Sequence, residues 1–309
     1  MKTLKNQFYA ISAGLLLLLT VPQNAFAINL REELLFSAVQ IVGIDDTGAV
    51  STGTGTTINK NGLVLTNYHV VANMDTDEIF PQINLCYTIS QYLLPRCAAT
   101  AKVVALNKEF DLALIKPDKK IAKDGKPTKL NFLTYWKKSG NQFYSAPFQN
   151  TDNAPLPNIL DRITIWGYPS VGGSTITVTQ GYVSGFDVVE QNDETLVKFI
   201  KTDAEVSPGN SGGAAFNEWF SFIGVPSNAW AGQLGFIIPV QTVMEWLQSL
   251  DKQKIINIKT IDSFWASKIF FSDINKNDSF RHIAALMKHL KIINGYEDGT
   301  FKPDQPLNF

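Results

Sequence analysis

The sequence is poor in histidine and cysteine: three His, at 69, 282 and 289, and two Cys, at 86 and 97, among 309 residues. A tetrahedral zinc site draws four ligands from such residues at close spacing. With no Cys/His cluster of that kind, no metal and no other cofactor is expected. Charge of one sign is also lacking. Lys and Arg number 27 against 28 Asp and Glu, a formal net of −1 with a pI near 6.3, so the counterion release that drives nucleic-acid binding has no source. Long apolar runs are absent as well, apart from one near the N-terminus.

That run covers residues 8–21, follows Lys2 and Lys5, and is closed by Pro22 and by Ala25-Phe26-Ala27. A core of about 14 apolar residues suits a signal peptide and falls short of the roughly 18 needed to span a bilayer. Residues 1–27 are therefore expected to be removed, with an uncleaved anchor as the alternative. Losing Lys2 and Lys5 takes the net charge from −1 to −3. The expected product is a secreted or extracytoplasmic chain with no stable membrane span. In that oxidising setting Cys86 and Cys97, eleven residues apart, are expected to form a disulfide, the alternative being two free thiols.

What the sequence has in quantity is short β-branched and apolar runs separated by Gly, Pro, Asn and Asp. They recur at 37–44, 62–66, 102–105, 112–116, 162–167, 174–179, 196–202, 222–225 and 234–238. Many short strands with turn signals read as an all-β barrel or sandwich. Residues 117–157, Lys-rich and then Asn/Pro-rich, read as a long connector between two β units. Residues 240–250 have apolar positions at helical spacing and close the β region. Residues 251–263 then read as a linker, and 264–309 as a separate small module with a second helix at 280–290.

Only one histidine, His69, falls in the β region. It follows an Asn61-Gly62 turn and a strand, a good place for a general base. Asp111 stands at the mouth of the strand at 112–116, with Asp75 and Asp77 as rival acids closer to the histidine. The third element is Ser211, in Pro208-Gly209-Asn210-Ser211-Gly212-Gly213. Acyl transfer needs a hydroxyl activated by imidazole, a carboxylate that fixes the imidazole's tautomer, and N–H donors for the oxyanion. Here the donors would be the amides of Gly209 and Ser211. The Gly209-x-Ser211-x-Gly213 spacing also matches the nucleophile elbow of α/β-hydrolases, which would recruit Asp251, Asp262 or Asp273 with His282 or His289. That elbow needs a helix after the serine, and a strand follows instead.

The motifs Thr66-Asn67-Tyr68-His69-Val70, Asp111-Leu112-Ala113-Leu114, Gly167-Tyr168-Pro169, Pro208 through Gly213 and Gly235-Phe236-Ile237-Ile238-Pro239 together resemble the trypsin-fold serine peptidases, in particular their bacterial secreted Deg/HtrA-like branch. The resemblance runs from about residue 38 to residue 250. It implies two six-stranded antiparallel β-barrels with a C-terminal helix, and a serine endopeptidase domain over 28–250 acting on protein or peptide substrates. It also implies catalytic His69, Asp111 and Ser211, with gaps of 42 and 100 residues. The rival reading is an inactive protease-fold binding or adhesion protein of the cell envelope.

In such a fold the residue six before the nucleophile, Glu205, would set the floor of the S1 pocket, with Ser227 and Asn228 in its walls. A carboxylate there would select Arg or Lys at P1; if Glu205 faces solvent, a small apolar residue is taken. Glu-specific cleavage is disfavoured because it would call for a second histidine in the β region. Ile41-Val42-Gly43 resembles an activating N-terminus, but Asn210, uncharged, offers no ion-pair partner, so this segment is expected to be a plain first strand. At the other end, Phe271-Ser272-Asp273-Ile274, the helix at 280–290 and Asn294-Gly295-Tyr296-Glu297-Asp298-Gly299 resemble an S-layer homology (SLH) repeat, met once and reaching Leu307-Asn308-Phe309. That small α-helical module implies attachment to cell-wall polysaccharide. Since this repeat occupies most of the 59 residues after Leu250, no PDZ domain is expected among them.

Overall fold

The structure, a computed structural model, describes residues 34–138, 143, 156–170, 174–191, 194–218, 220–230, 234–261, 273, 296 and 298–302. The expected signal peptide at 1–27 and the helix at 280–290, with His282 and His289, lie outside the described residues.

The first six strands close on themselves. They are β1 (Ala38–Ile44), β2 (Val50–Thr57), β3 (Val64–Thr66), β4 (Gln82–Tyr87), β5 (Arg96–Asn107) and β6 (Leu112–Ile121), in the order β3-β2-β1-β4-β5-β6, with β3–β6 pairing completing the ring. Along β1 the side chains of Val39 and Ile41 point inward at a period of two while Gln40 and Val42 are half-buried. Asn59 and Gly62 make the turn between β2 and β3: Gly62 N–H donates to the Asn59 carbonyl (3.0 Å), and Gly62 has φ +77°. The core is aliphatic, from Ile41, Val64, Leu85 and Ile115, and is plugged by Tyr87, Phe132 and Phe143. Burying each such side chain contributes roughly 1.5–3 kcal/mol.

The expected connector begins later than residue 117. Strand β6 runs on to Ile121, β7 (Pro127–Asn131) pairs with its outer edge, and a short helix α1 (Phe132–Lys138) follows. Lys and Pro masked this extension, because β6 alternates the exposed Lys116 and Lys119 with the buried Pro117 and Ile121.

The second barrel contains β8 (Arg162–Gly167), β9 (Thr177–Gln191), β10 (Glu194–Thr202), β11 (Ala214–Asn217), β12 (Phe222–Trp230) and β13 (Leu234–Pro239), closed in the order β10-β13-β12-β11-β8-β9. Its core includes the β-branched Ile163, Ile165, Val183, Ile200, Val206, Ile223 and Ile237, with Trp166, Phe216 and Phe222 packed edge to face. Helix α2 (Val240–Lys252) buries Val240, Val243, Met244, Leu247 and Leu250, spaced three and four apart, against β12 and β13. Both barrels are thus six-stranded and antiparallel, as the sequence implies.

In the C-terminal module Asp273 accepts the N–H groups of Phe301 (2.7 Å) and Lys302 (2.6 Å). Lys302 reaches Asp298 (3.3 Å) and lies over the Tyr296 ring, 4.1 Å from its centroid.

Candidate active site

Strand β3 ends at Thr66, and a 3₁₀ turn (Tyr68–Val70) swings His69 out of the barrel. Asp111 precedes β6 in the left-handed region, φ +50°, and its N–H donates to the Lys108 carbonyl (3.2 Å). Because β3 and β6 pair with Thr66 opposite Ala113, the two strand ends deliver both residues to one place. Asp111 Oδ2 lies 2.9 Å from His69 Nδ1, and Oδ1 accepts the His69 backbone N–H at 3.1 Å. Asn67 Nδ2 clamps the Asp111 carbonyl at 2.7 Å. Facing a carboxylate, Nδ1 carries the proton, which leaves the Nε2 lone pair free to act as a base. Asp77, one of the rival acids, is engaged elsewhere. It accepts from Lys108 Nζ and from the Tyr68 hydroxyl (3.2 Å), tying the loop after His69 to the turn before Asp111. Asp75 is exposed and its N–H is capped by Asn73 Oδ1 at 2.8 Å.

Ser211 comes from the second barrel, in the loop between β10 and β11. Ser207-Pro208-Gly209-Asn210 folds as a turn in which Asn210 N–H donates to the Ser207 carbonyl (2.9 Å) and Gly209 has φ +98°, the Pro-then-Gly signature of a type II turn. A Cβ on Gly209 would stand 2.3 Å from the Tyr168 carbonyl, and one on Gly212, at φ +82°, would stand 2.1 Å from Thr66 Oγ1. Only glycine fits either position.

One threonine makes three of the hydrogen bonds that join the halves. Thr54 of β2 accepts the Tyr168 N–H (2.9 Å) on its hydroxyl, donates that hydroxyl to the Gly209 carbonyl (2.6 Å), and gives its own N–H to the Ser211 carbonyl (2.9 Å). Thr66 then donates to the Thr54 carbonyl at 2.6 Å. Nearby, Tyr168 is buried and shares a short hydrogen bond with Thr88; burial pushes its phenol up to about 12.

Ser211, His69 and Ser227 line one cleft of about 250 Å³, with Thr52 and the stretch Val206, Ser207, Pro208 and Gly209 as the remaining walls. The Ser211 hydroxyl donates to the Ser227 carbonyl, and among the described residues no hydrogen bond joins it to His69. Handing its proton to His69 Nε2 requires the hydroxyl to leave the Ser227 carbonyl, because it has one hydrogen to donate.

Ser227, expected as a pocket wall, also donates its hydroxyl to Asp111 Oδ2 at 2.7 Å. The carboxylate thus collects three donors, two from His69 and one from the other barrel. Sequence alone could not expose this third contact, since it spans 116 positions and nothing local marks it. Glu205 is not brought into the cleft: it is exposed, and its carboxylate accepts from Ser207 Oγ at 2.6 Å. Its neighbour Val206, 6% exposed, lines the cleft instead. The Asn228 side chain lies outside the described residues. Cys86 and Cys97 form a disulfide between β4 and β5. Ile41 is fully buried mid-strand between Gly53 and Leu85. Among the described residues no group of His, Cys, Asp and Glu is arranged to hold a metal ion.

Two closed antiparallel barrels with a serine, a histidine and a carboxylate gathered between them define the serine-peptidase class of two-barrel folds. A family model described as a trypsin-like peptidase domain matches residues 53–225, and one described as an S-layer homology domain matches residues 270–308. The chain belongs to the trypsin-like peptidase family. It is 30% identical over 213 residues to a protein of Rickettsia conorii named "Probable periplasmic serine endoprotease DegP-like", covering 66% of this chain and 34% of that protein. A protein of the same name from Hahella chejuensis is 30% identical over 207 residues, covering 65% and 36%. The match thus spans about a third of these relatives' length. The serine endoprotease from Yersinia pestis shares the fold, with a TM-score of 0.51 and 22% identity over 73% of this chain and 66% of that one.

Proposed function

We propose that the chain is a serine endopeptidase that hydrolyses peptide bonds through an acyl-enzyme. The observation that carries this reading is the Asp111 carboxylate, which holds His69 Nδ1 at 2.9 Å while the opposite ring nitrogen is left to the cleft that Ser211 lines. Released from the Ser227 carbonyl, the Ser211 hydroxyl attacks the scissile carbonyl carbon through Oγ as His69 Nε2 takes its proton. The oxyanion is received by the Gly209 and Ser211 amides, and His69 passes the proton to the leaving amine. Water, deprotonated by the same imidazole, then releases the acid. A fluorophosphonate probe should label the folded wild-type protein and leave Ser211→Ala unlabelled. Absence of labelling in correctly folded wild type would remove the enzyme reading.

The P1 residue this cleft takes is small and apolar. Val206 contributes to its wall, and the carboxylate that would have attracted Arg or Lys faces solvent. Cleavage of a peptide library should enrich small apolar residues before the cut; enrichment of Arg or Lys would restore Glu205 as the pocket floor.

The surrounding sequence supports an extracytoplasmic setting, with residues 1–27 as signal, 28–250 as protease, 251–263 as linker and 264–309 as the wall-binding repeat. The match to an S-layer homology domain points to cell-surface association through cell-wall polysaccharide. Among the described residues no helix is long and apolar enough to cross a membrane.

A further inference from the structure

We propose that the disulfide-closed loop between β4 and β5 is an insertion finger that docks the first barrel on an anionic lipid bilayer. The loop occupies residues 88–95, and its apolar side chains face outward: Ile89 is 49% exposed, Tyr92 82%, Leu93 55% and Leu94 62%. Isolated exposed apolar residues need no explanation, but four within six positions on one loop form a patch of the kind that marks an interaction site. The Cys86–Cys97 bridge spans the loop's two roots, where β4 and β5 pair Cys86 with Cys97. The loop is thereby held as a fixed projection, so less conformational entropy is lost when it docks.

Charge selects the occupant. In this antiparallel barrel the β4–β5 loop and the β6–β7 turn emerge at the same end, with Lys120 opposite Ala99 close to the loop's root. That neighbourhood carries exposed Arg96, Lys119, Lys123 and Lys126. Its acids are Asp124 and Asp118, the latter taken up by Lys102 at 3.4 Å. Exposed apolar side chains and exposed cations at one barrel end fit the interface of a bilayer with anionic headgroups, where acyl chains receive the former and headgroups the latter. A purely anionic polymer would leave Leu93 and Leu94 in water. His69 and Asp111 belong to the opposite ends of these strands, at the end of β3 and the start of β6.

The test is flotation of the full chain with vesicles of phosphatidylcholine alone or containing about 30% phosphatidylglycerol. Binding is expected to the second and to fall as salt rises. The triple variant Tyr92→Ser, Leu93→Ser, Leu94→Ser should lose about 100-fold or more in partitioning. Lys119→Gln with Lys123→Gln and Lys126→Gln should lose about fivefold per charge. Both variants should keep wild-type circular dichroism and fluorophosphonate labelling. A Tyr92→Trp reporter should shift its emission to the blue on phosphatidylglycerol vesicles only. No binding to anionic vesicles, binding that the loop variant leaves unchanged, or a loop variant that alters oligomeric state in gel filtration instead would each overturn the proposal. The last outcome would assign the patch to contacts between copies of the chain.

Discussion

The two barrels share strand number and closure, yet they serve the cleft by different means. The first supplies side chains, His69 and Asp111, whose positions are fixed by hydrogen bonds between them and by Asn67 beneath. The second supplies a turn whose Gly209 and Gly212 admit no side chain and which brings Ser211 to the wall of the same cleft. The first barrel also carries a disulfide and an aromatic plug, while the second packs Trp166, Phe216 and Phe222 edge to face beside its β-branched core. The difference teaches where each half is vulnerable: one to the loss of a functional group, the other to the gain of a methyl.

The sharpest way to break the first half is Asp111→Asn. The fold should persist while the imidazole loses its preferred tautomer, and kcat should fall about 10⁴-fold, the usual effect of that change in a triad; steady-state cleavage of a chromogenic peptide measures it. A loss under tenfold would mean that another group orients His69. For the second half the matching change is Gly209→Ala. Its methyl would meet the Tyr168 carbonyl at 2.3 Å, and displacing the turn spoils an oxyanion donor, for a loss of about 10²- to 10³-fold in kcat. If kcat survives, the amide of Gly209 is not a donor.

Next in size is the disulfide. Replacing Cys86 and Cys97 by Ala should cost about 2–3 kcal/mol, seen in denaturant unfolding, with labelling of Ser211 in the folded state preserved. The smallest effect is expected from Asp77→Asn, which cuts the strut between the His69 and Asp111 loops. Both partners are about half exposed, so kcat should drop by about threefold or less. Its pH dependence carries a sign. Lys108 holds the Asp77 carboxyl below the usual range, so the strut acts fully above the unfolded carboxyl's pKa and fades as pH falls through the lower folded value. Wild type and variant should converge in acid and differ at neutral pH.

Much of this was legible in the sequence because periodicity and glycine placement are local. The strand cores around Ile41 and Ile165, the Asn-Gly turn before His69 and the Pro-Gly turn before Ser211 all announce themselves within a few residues. The contacts that were not legible are those made by folding. Ser227 reaching Asp111 depends on the meeting of two barrels, and the outward turn of Glu205 depends on which face of its loop packs on β9. The extension of β6 past Lys116 was hidden because lysines suit a solvated strand face as well as a linker.

Thr54 sets the unit in which this architecture is exchangeable. With its hydroxyl and N–H spent on Tyr168, Gly209 and Ser211, and its carbonyl on Thr66, neither barrel carries a self-contained half of the cleft. A chimera that grafts the second barrel of another peptidase onto this first barrel must bring a partner set that reads the same threonine. Recombination at the connector alone would join two well-folded barrels around a serine loop with no template. For this chain the heritable module is the seam between the barrels, and each barrel is the support that holds one side of it.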